Sequence, residues 1–258
     1  MSTCVVMLCN KAYFDKFIET CRQLLTVGAY TGPICLVIGD DLLDNPCLQD
    51  ELIVQNSICI KHFPDIPFTD EFIEAVHDIP RDRHWFKKIF QYHKLYLFDP
   101  YFKQWEYIFY IDCGIHIHSD IRPILNERLP NRLLAHSDAY PSYERTLATN
   151  FTKDNPELFD RLHRAYNLNI DYFQTTIMLY DTNICNDVVV KQLIALAEEY
   201  PISITNDQGI IALYFTNIEP VFTQIKIRNG TTYLYDYLPR NPDNTYIMTK
   251  LWNTTVGK

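Results

Sequence analysis

Apolar runs and helical repeats alternate along the first part of the chain, beginning with an apolar run at residues 4–8. Residues 13–27 then carry apolar side chains three or four positions apart, which predicts a helix with one buried face. A second apolar run at residues 34–38 predicts the next strand, and Gly28, Gly32 and Pro33 punctuate the connection. Strands that alternate with helices are typical of a parallel sheet in an α/β fold.

The elements that follow continue this pattern. Residues 58–60 predict a third strand, residues 71–76 one helical turn, and residues 85–98 a longer helix that ends before Pro100. An apolar run at residues 107–111 then predicts a central strand that ends abruptly at Asp112. Open α/β sheets bind ligands at the carboxyl ends of their strands. Asp112 is therefore the first candidate site residue.

Composition narrows the classes of function. The chain has 258 residues, 47% of them hydrophobic, which is enough to bury a large core in one domain. A net charge of −9 disfavours a nucleic-acid partner, because such binding needs clustered basic residues. No window approaches the ~20 apolar residues of a membrane span, and no basic segment precedes the first apolar run. We therefore expect a soluble, cytoplasmic protein without a membrane span. Its cysteines include no CxxC pair, which predicts free thiols.

The segment around Asp112 resembles the strand end of nucleotide-sugar glycosyltransferases. Residues 111–121, IDCGIHIHSDI, follow their order of an apolar strand, Asp-x-Asp, a short strand and Asp-Ile. The similarity is greatest to family 8 of the GT-A fold, the glycogenin and lipopolysaccharide galactosyltransferase group. It implies a single α/β domain of the GT-A type, with a Rossmann-like mixed sheet flanked by helices. A nucleotide-binding half would span about 4–112, and a sugar and acceptor half about 113–252.

The resemblance extends to residues that would hold the nucleotide. Asn10 and Tyr13 match an Asn-x-x-Tyr element whose ring can stack on uracil and whose amide can read its edge. A core position for Tyr13 at the start of the helix is an equally open alternative. Lys94 lies in HKLYLF, which resembles Lys-Leu-x-x-Phe of the family, and Arg83 precedes the same helix. Both are candidates for the diphosphate, and the Lys94 ammonium could instead point toward Asp112. The alternatives are a surface lysine for Lys94 and a solvated basic face for Arg83.

The metal site departs furthest from the family. Gly114 stands at the second aspartate of Asp-x-Asp, and Asn244 stands at the histidine of the carboxyl-terminal motif. Asp112 remains as the only clear metal ligand, so a divalent cation, Mn or Mg, is implied only in a weakened site completed by donor phosphates and water. His116 and His118 share one face of the predicted short strand, either as substitute ligands or simply as its polar face.

Further matches concern the diphosphate and the sugar. Lys250 matches a lysine that holds the diphosphate in the family. Asp138, in LLAHSD, matches an aspartate beside the sugar of the donor, where a carboxylate can hold hydroxyl groups in pairs. Gln174, in YFQTT, replaces an asparagine with another amide that can bind the sugar, and Thr176 replaces a glycine, which narrows the space above the donor.

The sequence NDQG supplies the candidate catalytic residues. Asp207 and Gln208 match an Asp-Gln pair that borders the anomeric carbon and the acceptor in the family. An acidic group there would stabilise a transition state with oxocarbenium character. The alternative is that Asn206 and Asp207 only cap the helix that begins at this point.

The resemblance as a whole implies a hexosyltransferase-like enzyme. It would transfer a sugar from a nucleotide-diphosphate sugar, with UDP-sugar as the expected donor, to an unknown glycan, lipid or protein acceptor, with retention of configuration. A catalytically weak sugar-nucleotide-binding or scaffolding protein of the same fold is one alternative. A methyltransferase or dehydrogenase is another, and the absence of GxGxxG after the first strand disfavours it.

Overall fold

The computed structural model describes residues 2–78, 88–239, 241 and 243–250, and its larger sheet has seven strands. These strands are β1 (Thr3–Cys9), β2 (Ile34–Ile38), β3 (Cys59–His62), β4 (Tyr107–Ile111), β6 (Leu133–Ser137), β7 (Phe173–Asp181) and β8 (Phe222–Gln224). Their order across the sheet is β3-β2-β1-β4-β7-β6-β8. A smaller sheet has the order β5-β11-β10-β9, formed by β5 (His116–Ile117), β9 (Arg228–Asn229), β10 (Thr232–Asp236) and β11 (Tyr246–Thr249).

Helices connect and cover these strands. The α-helices are α1 (Phe14–Thr26), α2 (Glu51–Gln55), α3 (Asp70–Asp78), α4 (Arg122–Leu125), α5 (Pro156–Ala165), α6 (Asp187–Glu199) and α7 (Asp207–Leu213). Short 3-10 helices comprise Lys11–Tyr13, Asp40–Leu42, Pro46–Gln49, Lys88–Phe98, Pro100–Gln104, Leu147–Asn150 and Thr182–Ile184, and a π-helical turn at Tyr214–Ile218 follows α7. α1 packs beside β1, as the apolar repeat of residues 13–27 predicts.

Strand directions divide the larger sheet into two parts. β3, β2, β1 and β4 run parallel, which confirms the α/β prediction for the first half of the chain. β7 runs antiparallel to both β4 and β6, so the sheet is mixed. Alternate residues of β1 enter apolar clusters on opposite faces, with Val6 in one and Val5 in the other. Because both faces are covered, the edge formed by the carboxyl ends of β1 and β4 is the natural ligand position.

The third strand and the helix before β4 differ in detail from the sequence-based prediction. β3 begins at Cys59 rather than residue 58 and continues to His62. The helix predicted over residues 85–98 is described from Lys88 and winds as a 3-10 helix, whereas residues 85–87 lie outside the described part. Side chains three positions apart are nearly eclipsed in a 3-10 helix, which brings Gln91 and Lys94 to the same side. Both contact the start of α7, where they meet Asn206 and Asp207.

Two findings bear on the expected environment of the chain. Within the described residues, no helix combines the length and apolar character needed to cross a membrane. All eight cysteines are free, six of them buried and Cys47 and Cys59 partly so, which confirms the prediction of free thiols.

Gly28 closes the α1–β2 connection and is expected to tolerate no side chain. Its N–H donates to Gln23 O at 2.8 Å, and a Cβ placed on it would lie 2.6 Å from Leu24 O and 3.3 Å from Ile117 Cγ2. Gly28→Ala should therefore lower the free energy of unfolding by about 1–3 kcal/mol, because a backbone atom must move. Urea unfolding measures this, with exposed Val27→Ala as the control. Equal stability of the two variants would contradict the prediction.

Candidate active site

Asp112 lies where the sequence places it, directly after β4 in the middle of the larger sheet. Its backbone N–H donates to Thr176 O of β7 at 2.9 Å, so the residue is held by the neighbouring strand. The Cys113 thiol donates to Leu8 O of β1 at 3.2 Å. These contacts fix Asp112 at the carboxyl-terminal edge shared by β1 and β4.

Both carboxylate oxygens of Asp112 are engaged by ammonium groups. Lys94 Nζ lies 3.0 Å from Oδ1, and Lys250 Nζ lies 3.1 Å from Oδ2. The Tyr110 hydroxyl also donates to Oδ1 at 2.7 Å, and Lys250 Nζ donates to Cys113 O at 3.1 Å. The structure therefore brings together three residues that the sequence places far apart.

Asp207 joins the same arrangement from α7. Its Oδ2 lies 3.3 Å from Lys94 Nζ and accepts a hydrogen bond of 2.7 Å from Thr175 Oγ1. We call Lys94, Asp112, Asp207 and Lys250 the charged cluster. The Asp207 side chain is only 3% exposed. In this conformation its carboxylate contacts Lys94 and Thr175, and its contact with the anomeric carbon stays a prediction.

The pKa values in the charged cluster follow from burial opposed by ion pairing. Burial alone would raise the pKa of Asp112, but Lys250 and Lys94 outweigh it and lower the pKa to about 2. Burial raises the pKa of Asp207, which Lys94 offsets only in part. Burial would lower the pKa of Lys94, yet Asp112 and Asp207 together raise it above its ordinary value. Lys94 is therefore a permanently charged group at neutral pH.

A divalent cation does not fit these residues well. Both oxygens of Asp112 already pair with lysines, and the next position of the expected motif is Gly114, whose φ of +86° favours glycine. Asn244, which replaces the expected histidine, donates its amide to Tyr246 OH at 3.3 Å. Among the residues that the structure describes, no group of three or more His, Cys, Asp or Glu could hold a metal ion.

His116 and His118 do share a face, with ring centroids 6.5 Å apart, and His118 Nε2 forms a hydrogen bond with Thr249 Oγ1.

A cavity of about 350 Å³ is lined by Asp138 and Gln174, the two residues predicted to contact the sugar. Gln174 Nε2 donates to Asp138 Oδ1 at 2.6 Å, and Tyr172 OH donates to Asp138 Oδ2 at 2.6 Å. His136 and Tyr237 also line the cavity. Because Asp138 is held by two donors, its carboxylate is fixed against the cavity.

Two residues of the cavity lining each contain a buried acceptor atom without a partner among the described residues, namely Gln174 Oε1 and His136 Nε2. The residues are only 6% and 4% exposed. Nδ1 of His136 lies 2.8 Å from Ser137 O and must donate to it, so Nε2 carries a lone pair in the neutral ring. Burial lowers the pKa of His136, which favours that neutral form. An unpaired buried acceptor costs about 1–3 kcal/mol, so a ligand with hydroxyl donors would be stabilised here.

Tyr237 relates the cavity to the charged cluster. Burial raises its pKa, and the negative charges of Asp112 and Asp138 raise it further. Tyr237 therefore lies within electrostatic reach of both sites. Strand β7 contributes to both the cavity and the charged cluster. Gln174 lines the cavity, and the hydroxyl of the next residue, Thr175, donates a hydrogen bond to Asp207.

The residues predicted to bind the base lie at the end of β1. Asn10 follows the strand directly, and its Oδ1 is buried without a partner among the described residues. Tyr13 is 39% exposed, so the alternative of a core position is wrong. The ammonium of Lys16 lies 4.7 Å from the Tyr13 ring centroid. Base stacking on Tyr13 stays a prediction.

The remaining candidates lie outside the charged cluster. Gln208 Nε2 donates to Asn150 Oδ1 at 3.2 Å. Asn206 precedes α7, but its side chain makes no capping bond and donates to Gln91 Oε1 instead, so the cap hypothesis is wrong for this residue. Arg83 lies outside the described residues.

Sequence analysis missed three residues that complete these sites, Tyr110, Thr175 and His136. Each is polar within a buried strand, and two of them stand two positions before a predicted site residue. Residues two apart on a strand share a face, so Tyr110 and His136 could have been found from Asp112 and Asp138.

Comparison with known proteins identifies the fold. No protein-family model and no curated protein matches the chain. An active-site variant of LgtC matches with a TM-score of 0.59 at 13% identity, over 96% of this chain and 86% of LgtC. Apo mouse xyloside xylosyltransferase 1 matches at 0.52 and 13%, over 99% of both chains. A mannosyltransferase of S. cerevisiae in complex with GDP matches at 0.51 and 10%, over 87% of this chain and 69% of that one.

This chain has the GT-A fold of these glycosyltransferases, which confirms the predicted fold class. At sequence identities of 10–13%, these matches establish the fold alone.

The lowered pKa of Asp112 predicts an acid-dependent contribution to stability. A carboxyl whose folded pKa lies near 2 and whose ordinary value is 3.8 stabilises the fold above about pH 4, and the contribution disappears as pH falls through 2. The difference in unfolding free energy between wild type and Asp112→Asn should shrink by about 2 kcal/mol between pH 5 and pH 2. Urea titrations measure it, with exposed Asp160→Asn as the control. A difference that stays constant with pH would contradict the assignment.

Proposed function

We propose that this protein transfers a sugar from a nucleotide-diphosphate sugar to an acceptor hydroxyl, with a UDP-sugar as donor and retention of configuration. The observation that carries the proposal is the pairing of two sites. A strand-end carboxylate forms ion pairs with two lysines, and the lining of a neighbouring cavity includes two residues with buried acceptors that have no partner among the described residues. The first suits a diphosphate and the second a sugar.

The reaction breaks the bond between the anomeric carbon and the diphosphate oxygen, whose electron pair leaves with the diphosphate. The acceptor oxygen forms the new bond to that carbon, and its proton passes to the departing diphosphate. Negative charge therefore develops on the diphosphate, where a fixed ammonium group stabilises it. Lys250 is suited to this contact, because its side chain is 20% exposed at the edge of the charged cluster.

The sugar would be recognised by acceptors. The Asp138 carboxylate lies beside the cavity and is held by Tyr172 OH. The acceptors Gln174 Oε1 and His136 Nε2 have no donor among the described residues. Sugar hydroxyls are donors spaced a few ångströms apart, so one ring can satisfy several of these groups. The exposed Tyr13 and the unpartnered Asn10 at the end of β1 would hold the base.

Two residues at the start of α7, Asp207 and Gln208, are proposed to take part in catalysis. Gln208 is proposed to border the reacting carbon, and the LgtC relative was itself studied as a glutamine-to-glutamate variant of its active site. Asp207 is proposed as a positioning residue that holds Lys94. The free thiols favour a reducing compartment, so a cytoplasmic location belongs to the proposal.

Nucleotide binding tests the proposed function. UDP and a UDP-sugar should raise the thermal midpoint, whereas NAD and S-adenosylmethionine should not, because a ligand of the folded state stabilises it by about 2.7 kcal/mol at a hundred times its Kd. GDP belongs in the same screen because the yeast mannosyltransferase was solved with it. Stabilisation by GDP alone would change the donor, and no response to any nucleotide would refute the proposal.

Turnover separates an enzyme from a binding protein. Released UDP, measured with and without acceptor sugars, should exceed the rate of spontaneous hydrolysis. Binding of a UDP-sugar without any release would instead support the scaffolding alternative.

The sugar cavity is tested by Gln174→Leu, which removes the amide but keeps the volume. The affinity for UDP should stay within about twofold, while the additional affinity for the matching UDP-sugar should fall roughly tenfold, as expected for about 1.4 kcal/mol of lost hydrogen bonding. Calorimetric titration of both ligands measures this, and the exposed Gln55→Ala is the control. Equal losses for UDP and UDP-sugar would show that Gln174 does not face the sugar.

A further inference from the structure

Lys94 is surrounded by oxygen atoms in the manner of a bound cation. Four oxygens lie within 3.5 Å of Nζ: Asp112 Oδ1 at 3.0 Å, Asp207 Oδ2 at 3.3 Å, Thr175 Oγ1 at 3.4 Å and Thr175 O at 3.5 Å. Lys94 Nζ also lies over the face of the Tyr110 ring, 5.5 Å from the ring centroid. This is the position beside the strand-end aspartate where a divalent cation was expected.

The spacing of these oxygens suits an ammonium group rather than a metal ion. Oxygen ligands lie about 2.0–2.1 Å from Mg²⁺ and about 2.3–2.6 Å from Ca²⁺. The oxygens around Lys94 lie at 3.0–3.5 Å, as in hydrogen bonds to a charged donor. A metal ion and the Lys94 ammonium would compete for the same oxygens.

We infer that Lys94 is a built-in cation that takes the place of a divalent metal ion, so that Lys94 as a fixed charge and Lys250 by direct contact stabilise the diphosphate without a metal. Two ammonium groups carry the charge of one divalent cation, and Asp112 and Asp207 balance it as two carboxylate ligands would. The inference rests on the proposed function in taking the ligand to be a diphosphate.

The two lysines have different parts in this arrangement. Lys94 is surrounded by protein oxygens and its side chain is 11% exposed, so it supplies a fixed charge. Among the described residues, Lys250 Nζ contacts Asp112 Oδ2 and Cys113 O, and the side chain is more exposed than that of Lys94, so it can turn toward a ligand. Lys94 is thus the positioning residue of the pair, and Lys250 makes the direct contact.

Removal of the Lys94 side chain should convert this place into a metal site. Lys94→Ala leaves Asp112, Asp207 and both Thr175 oxygens facing the vacated volume. Two carboxylates with a few neutral oxygens and water are a donor set that Mg²⁺ and Mn²⁺ accept. Lys94→Met removes the charge but fills the same volume, so it is the matched control.

Mn²⁺ binding, followed by electron paramagnetic resonance and by thermal unfolding, tests the inference without any nucleotide. Lys94→Ala should bind one Mn²⁺ per chain and rise in thermal midpoint, whereas wild type and Lys94→Met should not. Folding of Lys94→Ala only in the presence of Mn²⁺ would be the same positive result. Binding of Mn²⁺ by wild type at this stoichiometry, or failure of Lys94→Ala to gain it, would overturn the inference.

A second measurement uses wild type alone. The Kd of UDP in EDTA should lie within about threefold of its value with Mn²⁺, because the lysines already supply the cationic charge. A Kd more than about tenfold tighter with Mn²⁺, equivalent to about 1.4 kcal/mol, would overturn the inference. Absence of UDP binding in both conditions would refute the proposed donor, while the Mn²⁺ titrations still decide the role of Lys94.

Discussion

The buried ion pairs of Lys94 constrain the rest of the structure more than any other contact. A charged group removed from water is stable only when its partners are held in place, and loss of one partner leaves an uncompensated charge. Lys94 comes from the 3-10 helix Lys88–Phe98, Asp112 from the end of β4, and Asp207 from the start of α7. These three elements must therefore keep their relative positions, and the carboxyl-terminal edge of the sheet is built around them.

The sugar cavity shows the opposite condition, in which polar atoms are held in place but left unsatisfied. Asp138 has two protein donors, whereas Gln174 Oε1 and His136 Nε2 have none among the described residues. Both conditions meet on β7, where Gln174 faces the cavity and Thr175 faces Asp207. In the proposed function, the satisfied charged cluster would hold the leaving group rigidly and the cavity beside it would bind the sugar.

Local patterns predicted the elements of the chain as far as β4, because apolar periodicity is a local property, but they did not predict α5, α6 or the smaller sheet. They placed β1, α1, β2 and β4 within a residue or two. They did not predict that Lys94 would bridge two carboxylates, because that depends on contacts between residues 94, 112 and 207. The same limit explains Asn206, whose position before α7 was found but whose side chain turns to Gln91. Motif matching named candidate site residues, whereas their partners became known only from the tertiary structure.

The departure at Gly114 gives the two lysines on Asp112 a larger part in balancing charge. A metal site of the Asp-x-Asp type needs a second carboxylate two residues after the first, but the backbone at Gly114 has a positive φ that disfavours aspartate. Without that carboxylate, a divalent ion would keep excess positive charge, whereas an ammonium group forms a balanced pair with Asp112. Lys250 then adds a second charge on the other oxygen. Loss of the second ligand therefore leaves Lys94 and Lys250, which match lysines of the family, as the cations beside Asp112, and in the proposed function their charge faces the leaving group.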